Sequence, residues 1–201
     1  MVTPFPAGFA SPDFSRPLDV EAGVSQLPIG SSIKGMYLQS VVDLCVSTGR
    51  PLPPRPVYTA FKDYPLVDHI RLLVEAARLV HPDVPLREGL RRIGRSTYDV
   101  MAATLIGRVV FGVLGKDIAR VTRLVAKAYE ISGRGMTATL VDAGEDWSQV
   151  RLEGHTCLVD SYHVGAFEGV LRACDIEGEV RLHEVSPTTT DLFTVWKNAP
   201  R

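Results

Sequence analysis

Five histidines and three cysteines are the side chains here whose chemistry could exceed packing. His69, His81, His155, His163 and His183 share no close helical face, so no H-E-x-x-H pair of imidazoles is set up for a metal. His155-x-Cys157 comes nearest to paired ligands but lacks the further donors that zinc takes, so no metal site is expected. Cys45, Cys157 and Cys174 form no C-x-x-C and read as thiols in a reducing compartment. Gly133-x-Gly135-x-x-Ala138 imitates a dinucleotide fingerprint, but it follows a helix and enters a strand. The fingerprint needs the reverse order, with a helix N-terminus facing the pyrophosphate. There is no P-loop and no G-x-S-x-G, and no catalytic residue is assigned.

Arg108 interrupts the most apolar run, Met101 to Gly115, where a charge must be paired or face a polar cavity. With Tyr98, Met101, His163 and Glu168 it makes up a candidate ligand lining. Gly165-x-x-x-Gly169 places two glycines on one helix face, which allows close packing on a sheet or a partner helix. Glu168 between them is a surface carboxylate or a pocket acid. His69 flanks a core stripe, as a core histidine or as an axial haem ligand. Arg120, Arg123 and Lys127 step along one face, which is either solvated or a surface for an acidic partner or anion.

The elements that must position these residues follow from periodicity. Residues 1–30 are rich in Pro and Gly and read as a tail with at most one strand. Ser31 or Ser32 caps a helix running to about Thr48, and the prolines of 51–56 make a stiff connector. Leu66, Ile70, Leu73, Ala77 and Val80 repeat at helical spacing, with Arg71 and Glu75 paired at i,i+4 on the wet side. Pro85 opens a short helix that Gly94 ends, and Ser96-x-x-Asp99 caps an apolar helix to about 114. One more helix runs to Gly133. Beyond Gly135 the period drops to two. A hairpin over 136–153, a helix capped by Ser161 and two alternating runs up to Trp196 spell ββαββ. The fold class is therefore α+β, an N-terminal helical bundle followed by an antiparallel ββαββ lobe. One domain is expected over 31–197, with a helical lobe at 31–134 and a ββαββ lobe at 135–197.

The chain has 201 residues and a formal charge of -1, which removes the crude electrostatic argument for a nucleic-acid binder. The total hides a split: 87–134 carry ten basic and four acidic side chains, and 135–201 carry five basic and eleven acidic. The two blocks are expected to face each other across the inter-lobe seam or across a dimer. The apolar run is too short for a membrane span and the start lacks a secretory signal pattern, so a cytoplasmic location is expected.

The runs SSIKGMYLQSVV and YTAFKDYPLVDHIRLLVEAARLVHPDVPLREGLRRIGRSTYDV, with Gly35, Tyr64-Pro65, Pro82, Gly94-Arg95, Gly107-Arg108 and Gly115-Lys116, resemble a paralogous family of uncharacterised Myxococcus proteins. Helices followed by ββαββ with Gly165 and Gly169 are also similar to the superfamily of haem-NO-binding-like, 4-vinyl-reductase and vesicle-tethering small-subunit domains. That resemblance implies a small ligand or a partner protein, and dimerisation through helices. Its haem branch uses Tyr-x-Ser-x-Arg and a helical His ligand. The motif is absent here, so no cofactor is expected and haem is disfavoured. The reading is a non-enzymatic sensory or regulatory domain of a bacterial signalling system, binding a small apolar or anionic ligand. The alternative is an interaction module that forms a homodimer or docks a signalling protein.

Overall fold

The computed structural model describes residues 3–103, 117–154 and 157–197; the side chains of Tyr98 and of residues 100–103 also lie outside that set. The first elements are α1 (Val20–Ser25), β1 (Ser32–Lys34), α2 (Gly35–Ser47), β2 (Asp63–Pro65), α3 (Leu66–Val80) and α4 (Leu86–Ala103). There follow α5 (Ile118–Arg123), α6 (Val125–Ser132), β3 (Gly133–Arg134), β4 (Thr137–Ala143) and β5 (Trp147–Glu153). A wide five-residue turn of π type (Val159–His163) leads into α7 (Val164–Ala173), then β6 (Gly178–Ser186) and β7 (Thr189–Trp196). Most helices come first and the strands of the larger sheet come last, the α+β order that the sequence predicts.

The larger sheet has the order β4-β5-β7-β6 with every pair antiparallel. Period-2 alternation sends Val150, Leu152, Val180, Leu192 and Trp196 to the inner face, where they share a core with Val164 and Leu171 of α7. A bulge between Leu140 and Asp142 interrupts the β4 edge, and Ala10 pairs with Leu182 on the β6 edge. Both devices discourage edge-to-edge association.

The helical lobe packs the α3 stripe of Leu66, Ile70, Leu73 and Ala77 against Leu38 and Val41 of α2 and Leu90 and Ile93 of α4. Several local expectations change here. Ser32 lies in β1 and does not cap α2, because β1 pairs with both β2 and β3 and the helix starts only at Gly35. Arg71 pairs with Glu21 and Glu75 with Arg55, since both side chains find partners outside their own helix. The last helix of the bundle is split at Leu124 into α5 and α6.

Gly94 does not end a helix. It sits inside α4, where a Cβ would overlap the carbonyl oxygen of Tyr162, and a Cβ at Gly165 would overlap that of Arg91. Glycine spent on close approach between backbones looks, in a sequence, like glycine spent on a stop. Ser96 and Asp99 consequently fall within the helix, and Asp99 pairs with Arg172 of α7. The predicted continuation of the apolar helix beyond 103 lies outside the described residues.

Residues 3–10 lie along the outer face of the large sheet, and the chain then crosses to the inter-lobe seam, where Phe14 lies under Arg91 and the Arg16 carbonyl accepts from Arg87. Phe5 and Phe9 meet Phe193 with ring centroids 5.9 and 5.3 Å away. α1 follows, started by the Asp19 carboxylate, which accepts from the Ala22 N–H.

Candidate functional site

Two groups of polar side chains meet at the seam between the lobes. The first is an ion-pair network between α4 and α7. The Glu168 carboxylate takes Arg91 Nη2 at 2.7 Å and Nε at 2.9 Å, and Arg95 Nη2 at 2.6 Å. Arg91 also reaches Glu88 at 3.1 Å, and its guanidinium lies over the Phe14 ring. Burial works against the Arg91 charge, but Glu168 and Glu88 more than offset it and hold its pKa above the ordinary value. One turn below, the nearly buried Arg87 pairs with Asp160 of the π-type turn and donates from Nε to the Arg16 carbonyl at 3.0 Å. The basic 87–134 block thus meets the acidic C-terminal block inside the molecule, with Arg87 on Asp160 and with Arg91 and Arg95 on Glu168.

The second group is uncharged and aromatic. His69 of α3 is 3% exposed, and its ring stands edge-on to Tyr162 at 6.0 Å. Tyr162 is edge-on to His163 at 5.3 Å, and Nδ1 of His163 lies 2.6 Å from the hydroxyl of Tyr129 on α6. Thr97 of α4 lies beside the Tyr162 hydroxyl, and Tyr37 of α2 lies beside Ser132 of α6. The π-type turn makes this grouping, because its extra residue brings Tyr162 and His163 into the seam together. Burial lowers the pKa of His69 to about 3, with the neighbouring His163 adding to the shift, and lowers that of His163 to about 4. Burial also raises the pKa of Tyr129 and Tyr162. At neutral pH the cluster is therefore two neutral imidazoles among protonated phenols. Among the described residues, Nε2 of His69 has no hydrogen-bond partner.

The sequence candidates are distributed as follows. His163 is in the aromatic cluster, and Glu168 is in the ion-pair network with its carboxylate engaged. Gly165 presses on α4 of its own chain and Gly169 is buried on α7. Tyr98 and Met101 are on α4 with their side chains outside the described set, and Arg108 lies outside the described residues altogether. Arg120 and Arg123 are exposed on α5, and Lys127 on α6 pairs with Glu130. Sequence reasoning missed Tyr129 and Tyr162, which lie on different elements and share no spacing. Two surface grooves, of about 490 and 1000 Å³, flank the N-terminal segment and contain none of these residues. Among the described residues, no group of three or more His, Cys, Asp or Glu could hold a metal ion, and no helix is long and apolar enough to cross a membrane.

This arrangement of helices over an antiparallel four-stranded sheet is the fold of H-NOX domains. The Fe(II)NO form of an H-NOX protein from S. oneidensis matches with a TM-score of 0.61 at 11% identity, covering 83% of this chain and 100% of that one. The unliganded Fe(II) H-NOX protein from K. algicida matches at 0.59 and 14%, covering 84% and 99%. The oxygen complex of an oxygen-binding H-NOX domain related to soluble guanylate cyclases matches at 0.57 and 15%, covering 82% and 93%. Residues 28–197 match the family described as a protein of unknown function, DUF2378, and the chain belongs to that family. No curated protein matches it.

These structures correct the expectation of no cofactor, in which haem was disfavoured. That expectation rested on a missing Tyr-x-Ser-x-Arg, a local contact set, whereas the fold is shared with proteins solved as Fe(II) and Fe(II)NO forms. His69 presents what a haem iron takes from a protein, a neutral imidazole with a buried, unpartnered ring nitrogen. In donor chemistry the site fits a haem.

Proposed function

We propose that this chain is a sensory domain that binds a small ligand at the seam between its lobes, with His69 holding a haem. The observation that carries the reading is the unpartnered, buried Nε2 of His69. A buried polar atom without a partner costs stability, so its retention at the seam calls for a use. When bound, a haem supplies an iron centre at which a diatomic gas coordinates.

The chain's own residues do the rest. Burial keeps His69 neutral, so its lone pair is available for ligation. Tyr162 stays protonated and can donate a hydrogen bond within the seam. The apolar residues of α2 and α3 exclude water around them. The bond from Tyr129 to His163 ties α6 to the turn that carries Tyr162, so a displacement at the turn reaches α6. We retain Tyr98, Met101 and Arg108 as further lining, and a non-enzymatic, cytoplasmic role in bacterial signalling.

The test is haemin titration of the purified apo-chain, followed by absorption spectroscopy and native mass spectrometry. One haem per chain is expected, lost in His69→Leu and kept in His81→Leu. Failure of the wild-type chain to take up haem, or uptake unchanged in His69→Leu, overturns the haem reading.

A second reading is favoured by α5, where Arg120 and Arg123 are exposed and find no carboxylate in ion-pair reach among the described residues. We propose that they and Lys127 contact an acidic partner or a second copy of the chain. Charge reversal at Arg120 and Arg123 should then abolish salt-sensitive self-association in light scattering, or partner capture.

A further inference from the structure

The outer face of the large sheet carries an unusual surface for a solvent side. Trp147 stacks on Phe193 with centroids 5.0 Å apart and planes 10° from parallel. Arg181 and His183 flank Phe193 on β6, one strand over. Residues 3–10 lie on this surface as a bound segment. Phe5 sits between Phe193 and the Arg181 guanidinium, which lies 4.0 Å from its ring centroid. Phe9 sits between Phe193 and His183, at 5.3 and 5.5 Å.

Backbone and polar contacts complete the fit. Ala10 donates to the Leu182 carbonyl at 2.9 Å and accepts from the Leu182 N–H at 3.0 Å, adding a bridge to the β6 edge. Thr3 donates twice to Asp146, from its N–H at 3.0 Å and its hydroxyl at 2.6 Å. Gly8, at φ +89°, turns the chain so that both phenylalanines face the sheet.

The cover is nonetheless incomplete. Both phenylalanines are partly exposed, and Ala7, Gly8 and Ala10 are exposed. The segment also precedes residue 28, where the family match begins. By contrast, Arg87 clamps the chain at the Arg16 and Pro17 carbonyls, which separates an anchored stretch from the segment before it.

We propose that the Trp147–Phe193–Arg181–His183 face is a docking surface for an extended partner segment carrying two aromatic side chains four residues apart, and that residues 3–10 occupy it in cis as a competitor. The tether gives the in-cis segment a high effective concentration, so a partner must outcompete it or find it released. The cis segment itself defines the chemistry of the partner: aromatic rings for the Phe5 and Phe9 positions, an unpaired strand edge for β6, and a hydroxyl or N–H for Asp146.

The experiment uses the full chain and a fluorescent peptide of residues 3–15 as probe. Phe5→Ala with Phe9→Ala weakens the cis occupant and leaves the sheet untouched. Anisotropy should show the peptide binding this variant about tenfold or more tighter than the intact chain, given what two aromatic contacts contribute. Trp147 emission should change on binding, and a peptide with both phenylalanines replaced by alanine should not bind. Gly8→Ala keeps both rings but strains the turn, and should move affinity the same way by less. Equal peptide affinity in the variant and the intact chain overturns the proposal, as does equal binding of the phenylalanine-free peptide. A concentration-dependent dimer of the intact chain that is lost in the double variant, with no peptide binding, overturns it in favour of tail exchange between copies.

Discussion

Gly94 and Gly165 are reciprocal notches. Gly94 on α4 receives the carbonyl of Tyr162, and Gly165 on α7 receives the carbonyl of Arg91, so two backbones meet with no side chain between them. Everything at the seam depends on this spacing, because α4 carries Arg91, Arg95 and Thr97 while α7 and its turn carry Glu168, Tyr162 and His163. Alanine at either position must push the elements apart. Gly94→Ala and Gly165→Ala should each cost about 1–3 kcal/mol in urea unfolding. Because the two sites share one interface, the double variant should cost less than the sum of the singles.

Glu168 neutralises two guanidiniums that are themselves largely covered, with side-chain exposures of 25% and 34% at Arg91 and Arg95. Glu168→Gln keeps the volume and removes the charge. It should destabilise by about 1–3 kcal/mol, short of a fully buried pair because solvent reaches both arginines. High salt should shrink the difference between wild type and variant. A loss independent of salt would mean that packing, not charge, is at stake.

The pH dependence follows from the two buried imidazoles. In the unfolded chain both take a proton as pH falls through about 6.5, whereas the folded chain refuses it until about 4 at His163 and about 3 at His69. Their depressed values mean that stability is complete above about 6.5 and is lost as pH falls from there toward 4 and then 3. Each histidine contributes a slope of up to about 1.4 kcal/mol per pH unit within that window. Urea midpoints between about pH 6.5 and 5, above the ordinary carboxylate range, should fall with acidification, and His69→Leu should remove about half the slope.

Cys157 is half-buried beside α1, and burial together with the nearby Asp160 pushes its thiol up to about 11. At pH 8 only about one molecule in a thousand carries the thiolate. A thiol reagent at that pH should leave the folded chain nearly unlabelled at Cys157, and label all three cysteines once it is unfolded in urea. Fast labelling of the native chain would show that the α1 contact opens.

Much of the architecture is legible without coordinates. The α3 stripe and the alternation in β5, β6 and β7 are periodic signals carried by neighbouring residues, and periodicity alone separates the helical lobe from ββαββ. β1, β2 and β3 are too short, at two or three residues each, to show any period, and they exist only because they pair with each other.

The sequence by itself determined the fold class, the α3 stripe, the ββαββ order and the charge blocks, because these depend on residues near one another in the chain. Tertiary structure alone decided what Gly94 does, which carboxylate Arg91 takes, and that His69, Tyr129, Tyr162 and His163 meet. The physical reason is that a close approach, an ion pair or an unpartnered nitrogen is a relation between elements far apart in sequence. No local pattern encodes such a relation, and packing creates it.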